Sequence, residues 1–325
     1  MRLLRGLHNI LEKRPVHWRE RMRVGLIGSG YWARTVHGAS VVQHPRAELV
    51  GVWGRDAGRT AETAAELRTH PFSDLNALLD GVEALTFAVP PEVQATIALR
   101  AAAEGKHLLL EKPVATDVDQ ARRVEAAVED ANVASLVFFT RRFMAETEDW
   151  LRRLAEVGGW ECGRAESAAN IYSEGNPFGN SPWRKEKGGL WDIGPHALSL
   201  LLPALGDVTS VVAGGGRRDQ VHLVLEHVDN RSSTVSLSLA VPQAAVGNSL
   251  YVYGEHGREV APPGPFDPVQ AHLAALDALM EQAAAPERHH PCDVHFGTRV
   301  VEVLSAAEES LRDGRRVAVT RPETR

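Results

Sequence analysis

Three residues of this 325-residue chain combine side-chain types and settings suited to acid–base chemistry. Lys112 stands in Glu111-Lys112-Pro113, at the end of a strand-like run that begins at His107. The carboxyl ends of strands are where open α/β sheets bind ligands. An ammonium there can bond to a reacting oxygen and stabilise the charge developing on it, while Pro113 fixes the exit of the chain. Asp192 and His196 follow in Gly188-Gly189-Leu190-Trp191-Asp192-Ile193-Gly194-Pro195-His196. Four residues apart on one helix, they share a face, so a carboxylate can orient an imidazole whose ordinary pKa suits proton transfer near neutrality. Pro195 complicates that helix, because an internal proline loses a hydrogen bond and crowds the residue four earlier. The competing reading is an ordinary surface lysine, an Asp192 that caps a helix and a His196 packed in a core.

A second constellation lies upstream. Gly28-Ser29-Gly30-Tyr31-Trp32-Ala33 follows a strand directly and opens a helix, which is G-x-G-x-x-A in its proper context. Gly28 permits the tight turn, Gly30 lets the backbone approach a pyrophosphate, and Ala33 allows close helix packing, with the helix N-terminus facing negative charge. The next strand ends Val52-Trp53-Gly54-Arg55, without the acid that would bind the ribose 2′-hydroxyl of NAD. Arg55, supported by Arg59, suits a 2′-phosphate, so NADP is favoured over NAD. The alternative makes Arg55 a solvated cation and Asp56 the cap of the next helix.

The elements that must position these residues can be read from the apolar pattern. Short runs at Arg23 to Ile27, Leu49 to Trp53, Ala84 to Val89, His107 to Leu110 and Ser135 to Phe139 alternate with alanine-rich helical segments, and Gly105 sits where a helix C-cap is expected. The fold class is therefore α/β, with an N-terminal Rossmann domain, a doubly wound parallel sheet, over residues 22–141. From residue 142 to 325 the pattern changes to a C-terminal α+β domain with a largely antiparallel open sheet. Its expected strands lie near Ala165 to Tyr172, Val208 to Ala213, Val221 to His227, Thr234 to Ala240 and Leu250 to Tyr253. Its helices lie near Phe143 to Val157, Trp191 to Leu202, Pro268 to Ala283 and Val294 to Leu311. The stretch from Ser173 to Lys187 reads as a loop. Residues 1–21 are basic, broken by Pro15 and precede a strong strand at Met22. They read as a poorly ordered extension or a misplaced start, with a docking arm as the alternative.

Composition narrows the partners. The formal net charge of −6 works against binding to phosphate backbones, so nucleic acid is not expected as a partner. No apolar run suggests a membrane span, and two cysteines without a C-x-x-C pair fit a reducing, cytoplasmic setting. His289, His290, Cys292, Asp293 and His295 are dense in metal-ligating types, but their spacing is unlike that of closed zinc sites. No metal is assigned, and Asp293 reads as the N-cap of the last long helix.

The order of these blocks resembles the Gfo/Idh/MocA oxidoreductases: the glycine turn, Val89-Pro90-Pro91, Gly105-Lys106-His107 leading to Glu111-Lys112-Pro113, and Gly-Gly followed by Asp192 and His196. Arg141-Arg142-Phe143 and Ser181-Pro182-Trp183-Arg184 resemble that family's blocks near the domain junction and substrate loop. The resemblance spans most of the chain from Met22 and implies that Lys112, Asp192 and His196 form the catalytic group. It implies cofactor contacts at Gly28, Ser29, Gly30, Tyr31, Trp32, Ala33, Val89, Pro90, Pro91, Glu111 and Lys112, besides Arg55 and Arg59. Substrate contacts would come from Arg142, Tyr172, Trp183 and Arg184 together with the catalytic three. Trp183 could equally be domain-interface filler. The substrate would be a sugar, cyclitol or related polyol, and the protein a homodimer or homotetramer built through the open sheet face. Departures from the family pattern fall at Gly158 to Cys162 and in the loop from Ser173 to Lys187, and they leave substrate identity open without touching the catalytic matches. In the expected mechanism His196 takes the proton of a substrate hydroxyl while hydride passes between the same carbon and C4 of a nicotinamide. Lys112 polarises the oxygen and Asp192 orients His196. Two rivals stand beside it: a lyase or glycoside-cleaving enzyme using transient oxidation, and a nucleotide-sensing protein without catalysis.

Overall fold

A computed structural model describes residues 21–285 and 287–319. The proposed extension, apart from Arg21, lies outside the described residues.

The first sheet is parallel throughout, in the order β3-β2-β1-β4-β5-β6 that characterises dinucleotide-binding folds. Its strands are β1 (Met22–Ile27), β2 (Ala47–Trp53), β3 (His70–Phe72), β4 (Ala84–Phe87), β5 (His107–Glu111) and β6 (Ser135–Phe138). Helices cover both faces, so Leu26, Val52, Leu85, Leu108, Leu109 and Phe138 are sealed from solvent, which is why these strands read as nearly unbroken apolar runs. The glycine turn runs into a π-helical segment (Ala33–Gly38) and then α1 (Ala39–Gln43). The other helices of this domain are α2 (Ala57–Glu66), α3 (Leu75–Gly81), α4 (Pro91–Ala103) and α5 (Val118–Ala131). Their ends follow local rules: Asp56 caps α2, Asp117 caps α5, Pro91 occupies the first turn of α4, and Gly105 turns the chain at φ +73°.

A 3-10 turn (Thr140–Phe143) and α6 (Ala145–Val157) lead to the second sheet, ordered β12-β11-β7-β10-β9-β8-β13. It comprises β7 (Trp160–Ala168), β8 (Val208–Gly215), β9 (Val221–His227), β10 (Ser232–Ser238), β11 (Gly247–Gly254), β12 (Gly257–Val260) and β13 (Val317–Ala318). Every pairing is antiparallel except β7 with β10. α8 (Gly194–Leu205) and α10 (Val294–Asp313) pack on one face, while Val212 and Val224 are exposed on the other. The chain does not stay with the second sheet. α9 (Pro268–Ala284) returns to lie on α1, β5 and β6, and α10 bridges α5 to α8, so the C-terminal helices knit the two sheets together.

The region expected as a loop from Ser173 to Lys187 becomes helical at α7 (Pro182–Asp192), with a kink at Gly188. α7 and α8 are separate helices, not the single one expected from Trp191. Pro195 falls in the first turn of α8, where a proline loses nothing, and this removes its conflict with the helix pattern.

Candidate active site

A cleft of about 650 Å³ runs along the carboxyl ends of β1, β2, β4 and β5 and is closed on its far side by the chain from Ile171 to Arg184. This volume lies within the range of ligand and cofactor sites. Its lining takes in Gly28, Ser29, Gly30, Tyr31 and Trp32 at one end, Arg55 and Arg59 beside them, Val89 to Pro91, then Glu111, Lys112, Trp183, Arg184, Asp192 and His196. Most residues assigned from the sequence thus meet in one place.

The glycine turn fits a phosphate. A side chain at Gly28 would meet the Ala88 carbonyl at 2.4 Å, and its φ of +127° is itself glycine's, so the turn is forced. A Cβ at Gly30 would meet nothing within 4 Å, so the space over this residue is open to a ligand. Ala33 is fully buried against the sheet, as helix packing requires, and does not line the cleft. At the end of β2, Asp56 caps α2 through the Arg59 amide and accepts again from Arg59 Nε at 3.0 Å. Arg59 is thereby partly committed, whereas Arg55 is exposed in the lining and no described residue accepts a hydrogen bond from it.

Glu111 and Lys112 are held by a support that local sequence does not reveal. Gln94, buried in α4, donates to the carbonyls of Glu111, Pro113 and Val114 and accepts from the Glu111 amide. This fixes the strand end and its cis Lys112–Pro113 peptide. Glu111 Oε1 accepts from Trp32 Nε1 at 2.6 Å and lies 3.1 Å from His37 Nε2, and Oε2 accepts from the Lys112 amide. Burial would raise this carboxyl's pKa, but the hydrogen bond and charge of His37, with Lys112 and Trp32, hold it below the ordinary value. The carboxylate therefore ties the glycine turn to the lysine strand. Behind it His37 reaches Thr86 and His272 in a buried network that joins α9 to the first sheet.

Lys112 Nζ donates to both the carbonyl and Oδ1 of Asp192, at 2.6 and 3.0 Å, and Asp192 Oδ2 accepts from Arg184 Nε at 3.0 Å. Burial alone would raise the Asp192 pKa, yet the charges of Lys112 and Arg184 outweigh it and bring the group down to about 2. Asp192 is thus a permanent anion between two cations. With both oxygens so engaged, no hydrogen bond joins it to His196 among the described residues, and the expectation that it orients the imidazole is not met. His196 is half-buried. Burial first, and then the Lys112 charge, push its pKa down to about 3, so the ring is neutral at physiological pH.

Two of the expected substrate residues stand apart. Arg142 is a correction: it is 4% exposed, bonded to Glu148 and the Ser199 carbonyl and laid over the Phe296 ring, so it is a domain-junction residue outside the cleft. Tyr172 also lies outside the lining and donates its hydroxyl to the Arg184 carbonyl, supporting the wall from behind. Phe178 is one of the lining residues that sequence reasoning missed. Its ring packs edge-on to Tyr31 and Trp32 at 5.8 and 6.1 Å, bringing the substrate wall down onto the glycine turn. Nothing in an aperiodic loop marks it, because the contact spans two domains. Among the histidine-rich residues set aside as ligands, Asp293 caps α10 through the Phe296 amide, and His295 Nδ1 pairs with Glu125.

Comparison with known proteins agrees with this geometry. Residues 22–139 match a family model described as an oxidoreductase family with an NAD-binding Rossmann fold, and residues 157–259 match the GFO/IDH/MocA C-terminal domain. The chain is 25% identical over 257 residues to an uncharacterized oxidoreductase, YdgJ, of Escherichia coli, covering 74% of this chain and 71% of that one. It is 28% identical over 304 residues to D-xylose 1-dehydrogenase (NADP(+)) 2 of Haloferax volcanii, covering 89% and 90%. Among solved structures, GenD2 from gentamicin A biosynthesis in complex with NAD superposes with a TM-score of 0.83 at 20% identity, covering 95% of this chain and 99% of the other. At that identity the likeness shows the fold alone.

Proposed function

Because the chain belongs to the Gfo/Idh/MocA oxidoreductase family, we propose that it is an NADP-preferring dehydrogenase or reductase acting on a CH–OH group of a sugar, cyclitol or related polyol. The observation that carries the reading is that one cleft contains the glycine turn, the Lys112–Asp192 ion pair and a neutral His196. Among the relatives are proteins named as dehydrogenases of levoglucosan, of scyllo-inositol and of UDP-N-acetylglucosamine.

A nicotinamide bound in the cleft supplies the hydride acceptor or donor. The residues do the rest. An ammonium has three N–H bonds, and Lys112 spends two on Asp192, so the third is fixed in direction and available to a substrate oxygen. Pairing with Asp192, itself held by Arg184, prevents that ammonium from swinging away and aims it at a developing oxyanion. His196, neutral at rest, takes the hydroxyl proton in oxidation and returns it in reduction. An oxyanion forming alongside offsets the Lys112 charge that weakens this base, so its basicity rises as the proton moves. Arg55 supports the NADP preference, since its guanidinium stands uncommitted where a 2′-phosphate would lie. A homodimer or homotetramer would use the outer face of the second sheet, where Val212, Val224, Tyr253 and Val260 are exposed.

A panel of sugars and polyols assayed with NADP and NAD, read at the nicotinamide absorbance, tests the function. Lys112→Ala and His196→Ala are expected to lose about 10²–10⁴ in turnover while retaining cofactor binding. No net cofactor reduction or oxidation with any member of the panel would reject the dehydrogenase reading.

A further inference from the structure

Building on the dehydrogenase reading of the cleft, we propose that its substrate carries an anionic substituent, a carboxylate or a phosphate, that docks on the guanidinium of Arg184.

Arg184 sits in the first turn of α7, on the wall opposite the glycine turn, and its side chain is 21% exposed within the cleft lining. Its Cζ lies 5.0 Å from the Phe178 ring centroid and 4.8 Å from that of Trp183, so the guanidinium plane is held by aromatic contacts. Nε is spent on Asp192. No described residue accepts a hydrogen bond from either Nη, and these two nitrogens form one edge of the fork that matches an oxyanion bidentately.

The carboxylates around Arg184 leave its far edge unused. Two cations, Lys112 and Arg184, share the single carboxylate of Asp192. The other nearby carboxylate, Glu111, is engaged by Trp32, His37 and the Lys112 amide and faces the glycine turn. Asp219, across the second sheet's edge, is taken by Ser238 and the Leu239 amide. A neutral sugar can bond to the two Nη groups, but an oxyanion makes charge-assisted, bidentate bonds there, and these are stronger in a medium less polarisable than water. Fixing Asp192 needs only Nε, so the free edge is not explained by a positioning role for Arg184.

The geometry also places the group. Two hydrogen bonds through one carboxylate put Arg184 Nε within about 8 Å of Lys112 Nζ. One sugar-sized substrate can therefore reach both groups, its carbinol at Lys112 and its oxyanion at Arg184.

The test uses protein loaded with oxidised cofactor and matched sets of hexose, hexuronate and hexose 6-phosphate in the gluco, galacto and manno configurations. Calorimetric titration reads binding and nicotinamide absorbance reads turnover. At least one acid or phosphate is expected to bind tenfold or more tightly than its neutral parent, and whether it is the uronate or the phosphate identifies the group. Arg184→Gln also disturbs Asp192 and slows every substrate. The quantity to follow is therefore the charged-to-neutral ratio, which should fall by about tenfold or more and be partly restored in Arg184→Lys, as expected when a charged hydrogen bond is lost. Neutral sugars bound as well as their anionic partners, no binding of any member, or a ratio unmoved by Arg184→Gln would overturn the proposal. Anion-selective binding without turnover of anything would support it while rejecting the dehydrogenase reading. Turnover of neutral and charged sugars at equal kcat/KM would do the reverse.

Discussion

Replacing His196 with Gln tests the neutral imidazole on which the proton-transfer role rests. In the unfolded chain this group titrates near 6.5, and in the folded protein near 3, held down first by burial and then by the Lys112 charge. The folded-state value is the lower one, so the unfolded chain takes up the proton first as pH falls. Stability from this group is complete above pH 6.5 and is lost progressively down to pH 3. Each pKa unit corresponds to about 1.4 kcal/mol, so a fall from pH 6.5 to 4.5 would cost roughly 3 kcal/mol. Because the ring is only half-buried and water enters the cleft, about 2 kcal/mol is the realistic figure. Guanidinium unfolding of wild type and His196→Gln, followed by tryptophan fluorescence between about pH 7 and pH 4.5, measures it directly. The wild type should lose about 2 kcal/mol more than the variant across that interval. His272, pushed well below its usual value, and His290, at about 4, titrate in both proteins and cancel in the difference. Parallel curves for the two proteins would refute the argument, since His196 would then titrate as an ordinary solvated imidazole.

Gly30→Val should fold normally and weaken both cofactors, because its Cβ enters open cleft, whereas Gly28→Val should lower Tm through collision with the Ala88 carbonyl. Thermal unfolding and cofactor titration separate the two. Arg55→Ala should weaken NADP by about tenfold or more and leave NAD nearly unchanged, and equal effects on both would remove Arg55 from phosphate recognition. Gln94→Leu strips four hydrogen bonds from the Glu111 to Val114 turn and leaves buried backbone groups unpaired. A stability loss of about 2 kcal/mol or more, with a lowered kcat, is expected in unfolding and steady-state assays. Lys112→Ala combined with His196→Ala should cost far less than the product of the two single effects, since both groups serve one proton transfer. Full multiplication would show independent roles.

The parallel sheet was legible because two-sided burial demands apolar runs, and five of its six strands were read within a residue or two at each end. β3, β12 and β13 escaped, at three, four and two residues, too short for an alternating pattern to stand out. The first half of α7 was hidden by Pro182 and by the glycine pair at its kink, both of which signal a loop in isolation. Arg142 was misplaced for the opposite reason. Its residue type suggests a ligand contact, while its neighbours Glu148, Ser199 and Phe296, distant in sequence from one another or supplied by other helices, make it a buried junction.

By itself the sequence determined what local chemistry can encode: the glycine turn, the caps, the strand that ends in Lys112, and the pair Asp192 and His196 at a spacing of four. Only the tertiary structure decided which partners those groups have. Lys112 and Asp192 are eighty residues apart, and they meet because β5 ends where α7 ends. That meeting engages both oxygens of Asp192, lowers its pKa, adds to the burial that lowers the pKa of His196, and leaves Asp192 with only Nε of Arg184. The physical reason is that spacing along an element fixes direction, whereas desolvation and Coulomb energy depend on every group within several ångströms, whichever part of the chain supplies it.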